Sequence, residues 1–384
     1  MAKFETSQYN KIWDSREGGE MTRIIISNPD LLRANHMFWS TKFRVDPKIT
    51  PTNQEGEAVF KSSMRELEQG NVMDMRAPLG DSIAADKKGV EYYSGVIPDF
   101  IARGFVEKAT ERMYKEDLFS QFGDAALIAA YATNELQRMF DSAHQTLSHL
   151  SAQLLSTGQI VYKQGEGMQG SVLKAKIPAA NFDTAGTKVW TDPDAKILDY
   201  MREKEEKFSD LWGVSLSLQW EIDKRDFDAK FLSNKQVIEW VRYVNVINNT
   251  PLPETFILNR EMALSAIAKF PGVSPIVIIE EKQKDTTNGV IHGWKEGNVV
   301  LRPVGFAGLI RHTNCIDEKV YRKYGSDLVS RNFTPAINGL ATVMNSVVNN
   351  GNLKEWHTDL MMSAIPTLDE FLYHAIIDTT TADK

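Results

Sequence analysis

The sequence predicts an α+β chain organised around one very long helix, and three observations point there. From Asp124 to Thr157 no proline or glycine interrupts a helical pattern. Its apolar residues Leu136, Phe140, Ala143, Leu147, Leu150 and Leu154 recur alternately four and three apart, on one face. The chain before it reads as β ribbon, punctuated by Pro78, Gly80, Gly89, Gly95 and Gly104. After Thr187 the texture changes to alternating helices and strands.

The long helix has a start and a stop, with Asp124 placed as N-cap and Gly158 as C′ residue. At about 1.5 Å rise per residue, roughly 34 residues make a rod about 50 Å long. Such a rod suits an extended building block better than a compact enzyme. A coiled-coil seam fits less well, because the spacing lasts under three heptads and lacks clean flanking charges. We therefore expect a spine packed against a sheet.

The first ~70 residues read as an arm, with Ile24-Ile25-Ile26 strand-like and Pro29, Pro47 and Pro51 breaking the path. Its aromatics Trp13, Phe38 and Trp39 pack either on the protein's own body or on a neighbouring copy. A short helix is expected from Glu57 to Gln69, ended by Gly70. Val72 to Leu118 reads as a long irregular hairpin, with Tyr92-Tyr93 and Phe100-Ile101 in its strands; it must lie on something else to bury a face. After the spine, Gln159–Lys163 and Ser171–Ile177 form a second hairpin.

Asp192-Pro193-Asp194 opens a helix with Ile197, Leu198, Met201, Phe208 and Leu211 on its apolar side, closed by Gly213. Val214, Leu216, Leu218, Trp220 and Ile222 alternate, as in a half-buried strand. Helices follow over Phe227–Arg242 and Arg260–Lys269, then strands over Pro275–Glu280, Val290–Trp294 and Asn298–Arg302, with Asn288-Gly289 as a hairpin turn. Two apolar runs, Leu360–Ile365 and Phe371–Ile377, lie in the tail.

At 384 residues the chain has room for two or three structural regions, and 42% hydrophobic with 25% charged residues is ordinary for a globular protein. No run approaches the ~18 apolar residues of a membrane helix, and Met1-Ala2-Lys3-Phe4-Glu5 lacks a secretory signal's apolar stretch, so a cytoplasmic protein is expected. A single cysteine, Cys315, excludes an internal disulfide framework and a multi-cysteine metal site. It lies near His312 without a nucleophile motif, as a buried bystander does. A net charge of −7 without a basic cluster argues against direct nucleic-acid binding.

The motifs that carry chemistry fail on inspection. Gly165, Gly167 and Gly170 spell G-x-G-x-x-G, but Val172, Lys174 and Lys176 lead into a strand where a dinucleotide site needs a helix. His144 and His149 lie five apart, on different helix faces, and no HExxH occurs. His292, His312, His357 and His374 are scattered. Arg202-Glu203-Lys204-Glu205-Glu206-Lys207 reads as a solvated helix face.

Four segments in order resemble the major capsid protein family of lambda-type tailed bacteriophages. They are Ala152–Ile160 at the end of the spine; Val189-Trp190-Thr191-Asp192-Pro193-Asp194-Ala195-Lys196-Ile197-Leu198-Asp199; Gly297-Asn298-Val299-Val300-Leu301 with Gly305-Phe306-Ala307-Gly308-Leu309; and Pro366-Thr367-Leu368-Asp369-Glu370-Phe371. The resemblance covers about Asp86 to Asp378; the first ~70 residues match nothing and the hairpin loop matches loosely. It implies the Hong Kong 97-type phage capsid fold, shared with encapsulins and the herpesvirus capsid floor. The implied parts are an N-terminal arm (1–71), an extended hairpin loop (72–118), a peripheral domain with spine helix and β ribbon (119–187), an axial α/β domain (188–353) and C-terminal strands returning to the sheet (354–384).

The resemblance further implies a structural protein that self-assembles as hexamers and pentamers into an icosahedral head around double-stranded DNA. It implies no enzyme, catalytic residue, cofactor or metal. Candidate intersubunit contacts are Trp13, Phe38, Trp39, Lys87, Lys88, Tyr92, Tyr93 and Phe105. A separate scaffolding protein and a portal are the expected partners, with room for a decoration protein, no membrane, and assembly in the host cytoplasm. Covalent crosslinks from Lys87 or Lys88 to Asn338, Asn345, Asn349 or Asn350 are not expected. The alternatives are an encapsulin-like compartment shell and an α/β enzyme using Cys315 with His312.

Overall fold

The computed structural model describes residues 38–46, 59–65, 90–108, 125–161, 172–213, 215–248, 250, 252–253, 256–285, 289–315, 318, 330–350 and 353–382. Trp13, Lys87, Lys88, Asp124, the 165–170 glycines and Val214 lie outside them. In chain order the elements are α1 (Phe38–Lys42), β1 (Phe43–Val45), β2 (Val59–Arg65), β3 (Val90–Val96), β4 (Asp99–Lys108), α2 (Ala125–Thr157), β5 (Gln159–Val161), β6 (Val172–Lys174) and β7 (Phe182–Thr184). There follow α3 (Ile197–Trp212), β8 (Leu218–Asp223), α4 (Lys224–Lys230), α5 (Lys235–Ile247), α6 (Arg260–Ile267), β9 (Ile276–Ile279), β10 (Gln283–Asp285) and β11 (Gly289–Ile291). The chain closes with β12 (Asn298–Pro303), β13 (Gly308–Thr313), β14 (Ser330–Ala336), β15 (Ala341–Asn350), β16 (Leu353–Leu368) and β17 (Ala375–Asp378).

The chain divides into two compact units. The first comprises Met1–Phe60, Gly95–Ser148 and Ile310–Pro366, the second Lys61–Ser94, His149–Leu309 and Thr367–Lys384.

The spine is a 33-residue helix, α2, and all six apolar residues of its expected stripe are buried. It stops where φ turns positive at Gly158 (+69°), a conformation that only glycine adopts without strain. In the first unit, β16 pairs antiparallel with β15 along one edge, Ala341 opposite Met362, and with β4 along the other, Ser363 opposite Asp99. β14 pairs in turn with β15, which makes a long antiparallel ribbon. None of β13 to β15 was read from the sequence.

The second unit is built on a five-stranded mixed sheet in the order β7-β17-β12-β8-β9. Parallel pairing of β8 with β9 requires a crossover, and α4, α5 and α6 supply it. β8 and β12 are buried at every residue, so the expectation of a half-buried strand fails. Its polar residues go inside because each has a partner: Arg302 for Glu221, Arg225 for Asp223, and Glu221 for Gln219. An aromatic cluster fills the helix layer. Trp190 meets Tyr200 and Phe231 edge-on, and Phe231 stacks on Phe227 at 4.7 Å. Asp226 and Lys230, both buried, pair at 2.6 Å; Lys230 reaches Thr379 and Asp226 accepts from the Gly297 amide.

Several local expectations are corrected. Residues 59–65 are strand rather than helix, because β2 pairs with β3 and Val59-Phe60 with Ser62-Ser63 are poor helix formers. The ribbon's paired arms are thus 59–65 and 90–96, while β4 joins the large sheet. Asp192 caps a turn by accepting from the Asp194 amide, and the helix starts later, at Ile197, with Gln236 accepting from the Leu198 amide. Within α3, Leu211 is exposed and Trp212 is the buried residue. The expected helix 227–242 is two helices, split where Asn234 starts α5 by accepting from the Val237 amide. The 202–207 run is only partly solvated: Lys204 is buried against Asp183, and Glu205 accepts from Trp220 and Ser274.

Candidate assembly interface

The strongest surface feature lies on α5. Val237, Val241 and Val244 follow helical spacing and are buried. Trp240 donates from Nε1 to Ala266 O at 2.7 Å and meets Phe270 edge-on at 4.9 Å, which fixes α5 against α6. With that face anchored, Tyr243, Val246 and Ile247, spaced i, i+3 and i+4, are left 55%, 60% and 61% exposed. Beside them Arg242 lies over the Phe256 ring at 5.4 Å. Ile257 is 92% exposed, yet the residues flanking it are anchored, Phe256 under Arg242 and Leu258 by burial. A turn after β12 presents a second pair, Val304 and Phe306. Exposed apolar side chains grouped on anchored backbone mark a surface for contact.

The sequence-derived contact candidates fare differently. Trp39 is 7% exposed; its ring stacks on His144 and its Nε1 donates to His144 Nδ1 at 3.3 Å. Burial, against the charge of Asp141, lowers the pKa of His144, which favours the neutral ring that can accept this bond. Tyr93 is equally buried; its hydroxyl donates to Leu368 O at 2.9 Å and its ring meets Phe371 edge-on. Both aromatics therefore pack on the chain's own body, which for Trp39 is the first of the two readings given for the arm's aromatics. Phe38 is half-buried. Tyr92 and Phe105 sit in β3 and β4, and their side chains are outside the described residues. The α5 group went unread in the sequence although its signal was there: the apolar arc of 237–247 is wider than one buried stripe needs.

Chemistry of the enzymatic kind finds no assembled centre among the described residues. Cys315 is 3% exposed, which denies its thiol a substrate, and His312 Nε2 donates to Asp46 O at 2.8 Å. His149 meets Gln283 Oε1 at 3.4 Å, and His374 donates to Leu155 O. No group of three or more metal-ligating side chains occurs among the described residues. Asn345, one crosslink candidate, is buried within the sheet, where it accepts from Thr358. No described helix is long and apolar enough to cross a membrane.

No protein-family model matches the sequence, and neither does any curated protein. Solved structures similar to the chain include a capsid protein assigned to a prophage of E. coli CFT073, at 13% identity and TM-score 0.44, covering 83% of this chain and 76% of that one. A phage-related protein from Bordetella bronchiseptica RB50 is similar at 17% identity and TM-score 0.42, with 92% and 97% covered. The capsid of Ralstonia phage GP4 is similar at 9% identity and TM-score 0.42, with 90% and 92% covered. Scores below one half leave the functional reading to rest on this chain's own geometry.

Proposed function

We propose that the chain is a major capsid protein, a structural subunit that tiles as hexamers and pentamers into an icosahedral phage head around double-stranded DNA. The observation that carries the reading is the anchored apolar group Tyr243, Val246, Ile247 and Ile257. The order of parts supports it: ribbon, long helix, α/β elements and then the strands of the large antiparallel sheet follow one another along the chain, with β17 returning to the mixed sheet at the end. Residues 188–353 take the axial role and 119–187 the peripheral one. The protein is not an enzyme on this reading, its place is the virion, and it assembles in the host cytoplasm with a separate scaffolding protein and a portal. Trp13, Phe38, Lys87, Lys88, Tyr92 and Phe105 stay proposed contacts.

Magnitudes favour a closed multi-copy shell over a simple pair. Fully burying a large apolar side chain is worth about 1.5–3 kcal/mol, so four partly exposed ones give roughly 4–8 kcal/mol. Fixing two bodies together costs about 4–15 kcal/mol. One such patch is near break-even, whereas several per copy, closed by symmetry, hold firmly. Mass photometry tests the idea: the wild type should give capsomers or megadalton particles. The Tyr243→Ser, Val246→Ser, Ile247→Ser triple variant should stay small with an unchanged melting temperature. A wild type that stays monomeric at micromolar concentration overturns the proposal. A copurifying cargo enzyme in place of DNA would redirect it to an encapsulin-like compartment.

A further inference from the structure

The turn that presents Val304 and Phe306 is held by a buried cation. Arg302 is 1% exposed. Its Nε and Nη2 lie 2.9 and 2.7 Å from Glu221 Oε1 on the neighbouring strand. Its Nη1 donates to the main-chain carbonyls of Pro303 and Gly305, at 2.9 and 3.0 Å. Those carbonyls bracket Val304, so the guanidinium fixes the path of the turn. The main chain holds the rest: Val304 donates to Ser217 O at 2.8 Å, and the amides of Asp369 and Glu370 both donate to Ala307 O, at 3.1 and 3.3 Å.

Glu370 is thereby tethered to the turn that Arg302 clamps. Its Oε2 is buried and meets no donor among the described residues. The charges that bear on it are Arg302 from β12 and Asp369 beside it. Glu221 faces Arg302 from β8. His374, which also feels the charges of Arg302 and Glu221, is held neutral by burial, its pKa lowered to about 4, and supplies no positive charge near neutrality. Arg302 thus pairs with one carboxylate, Glu221, while its charge also bears on a second, Glu370, whose main chain is bonded to the same turn.

We propose that Glu370 is a proton-operated release for the 303–307 turn: neutral, it leaves Arg302 on the Pro303 and Gly305 carbonyls, and ionised, it draws the guanidinium away from them. A hydrogen bond to a carboxylate is roughly twice as strong as one to a neutral carbonyl, so a second buried carboxylate competes well for the same N–H groups. Burial first, with Asp369 adding and Arg302 opposing, pushes the Glu370 carboxyl up to about 7, which places the release in the neutral range. The use of the device rests on the shell reading: acid sets Val304 and Phe306 for contact, and alkali loosens them.

The test is amide hydrogen exchange on the full chain, kept dilute and unassembled, at pH 6 and pH 8 after normalising for intrinsic exchange. In the wild type, protection at Val304, Asp369 and Glu370 should fall about tenfold across those two pH units, as a release governed by one proton requires. Glu370→Gln should keep high protection at both. Asp369→Asn, which removes the neighbouring negative charge, should move the wild-type midpoint to lower pH, and it decides the matter if Glu370→Gln does not fold. Equal wild-type protection at both pH values, or the same loss in Glu370→Gln, overturns the proposal. Particle formation is scored separately. A working release without particles sinks the shell reading alone, and particles with pH-independent protection sink the release alone.

Discussion

Replacing Arg302 with leucine removes an ion-pair partner of Glu221, and both side chains are essentially without solvent, 1% and 0% exposed. Removing one member of a buried pair costs about 3–5 kcal/mol, because the other charge is left in a poorly polarisable interior. The carbonyls of Pro303 and Gly305 lose their donor as well, at about 1 kcal/mol each, partly recovered by water at Gly305. A loss of about 4–6 kcal/mol follows. The double variant Glu221→Gln, Arg302→Met keeps an acceptor for Gln219 and removes the charge, so it should return to within about 1–2 kcal/mol of wild type. Urea unfolding followed by tryptophan fluorescence reads this, since Trp220 is fully buried beside Glu221. The single variant's deficit should shrink toward acid by up to about 1.4 kcal/mol per pH unit. Its folded state takes up a proton on Glu221 that the unfolded chain does not yet bind, and Glu370, deprived of its cation, adds in the same direction. A deficit under about 1 kcal/mol that ignores pH would refute the reasoning.

Gly293→Ala should cost about 2–3 kcal/mol, because its Cβ would sit 2.4 Å from the His149 carbonyl oxygen. Gly213→Ala, at φ +62° with open space around it, should cost only about 1 kcal/mol; equal melting temperatures for the two would contradict this. Asn234→Ala removes the α5 cap and two bonds to the Pro193 and Ala195 carbonyls, about 2 kcal/mol in chemical denaturation. Asn234→Asp keeps the cap alone and should fall between. In the stability profile His374 and Glu370 oppose one another. The unfolded histidine binds the extra proton between its ordinary 6.5 and about 4, so acidification through that window destabilises. The folded Glu370 binds the extra proton between its ordinary 4.5 and about 7, so raising the pH through that window destabilises. Glu370→Gln should therefore leave a stability that rises with pH from about 4 to 6.5, and a profile unchanged from wild type would count against both assignments.

What was legible in the sequence was what local rules control. The α2 stripe, its glycine stop, the β5–β6 hairpin and the glycine closing α3 each depend on neighbours within a few residues. β14 and β15 were invisible because Asn332, Asn345 and Ser346 have little strand propensity; their pairing with each other and with β16 makes them strands. β8 was misjudged because Glu221 looks solvent-facing until Arg302, 81 residues on, is brought beside it, and because Asp223 was not matched with its near neighbour Arg225. Trp39 was open to two readings and Tyr93 was given as an intersubunit contact; the positions of His144 and Phe371, far off in sequence, place both rings in the interior. Burial of Arg302 and the position of Glu370 beside its turn are likewise products of the tertiary fold.

β17 lies between β7 and β12, with Ile376 opposite Phe182 on one side and Val300 on the other. During synthesis the partners Phe182 and Val300 wait for a strand that emerges only after residue 375. At ~5–20 residues per second, the interval from Phe182 to Ile376 is on the order of ten to forty seconds. Such long-range pairing also slows the search that follows release, since loop closure precedes any gain from contact. Until then β7 and β12 are unjoined pieces, and the five-stranded sheet of the second unit is complete only when its last strand in sequence has been made.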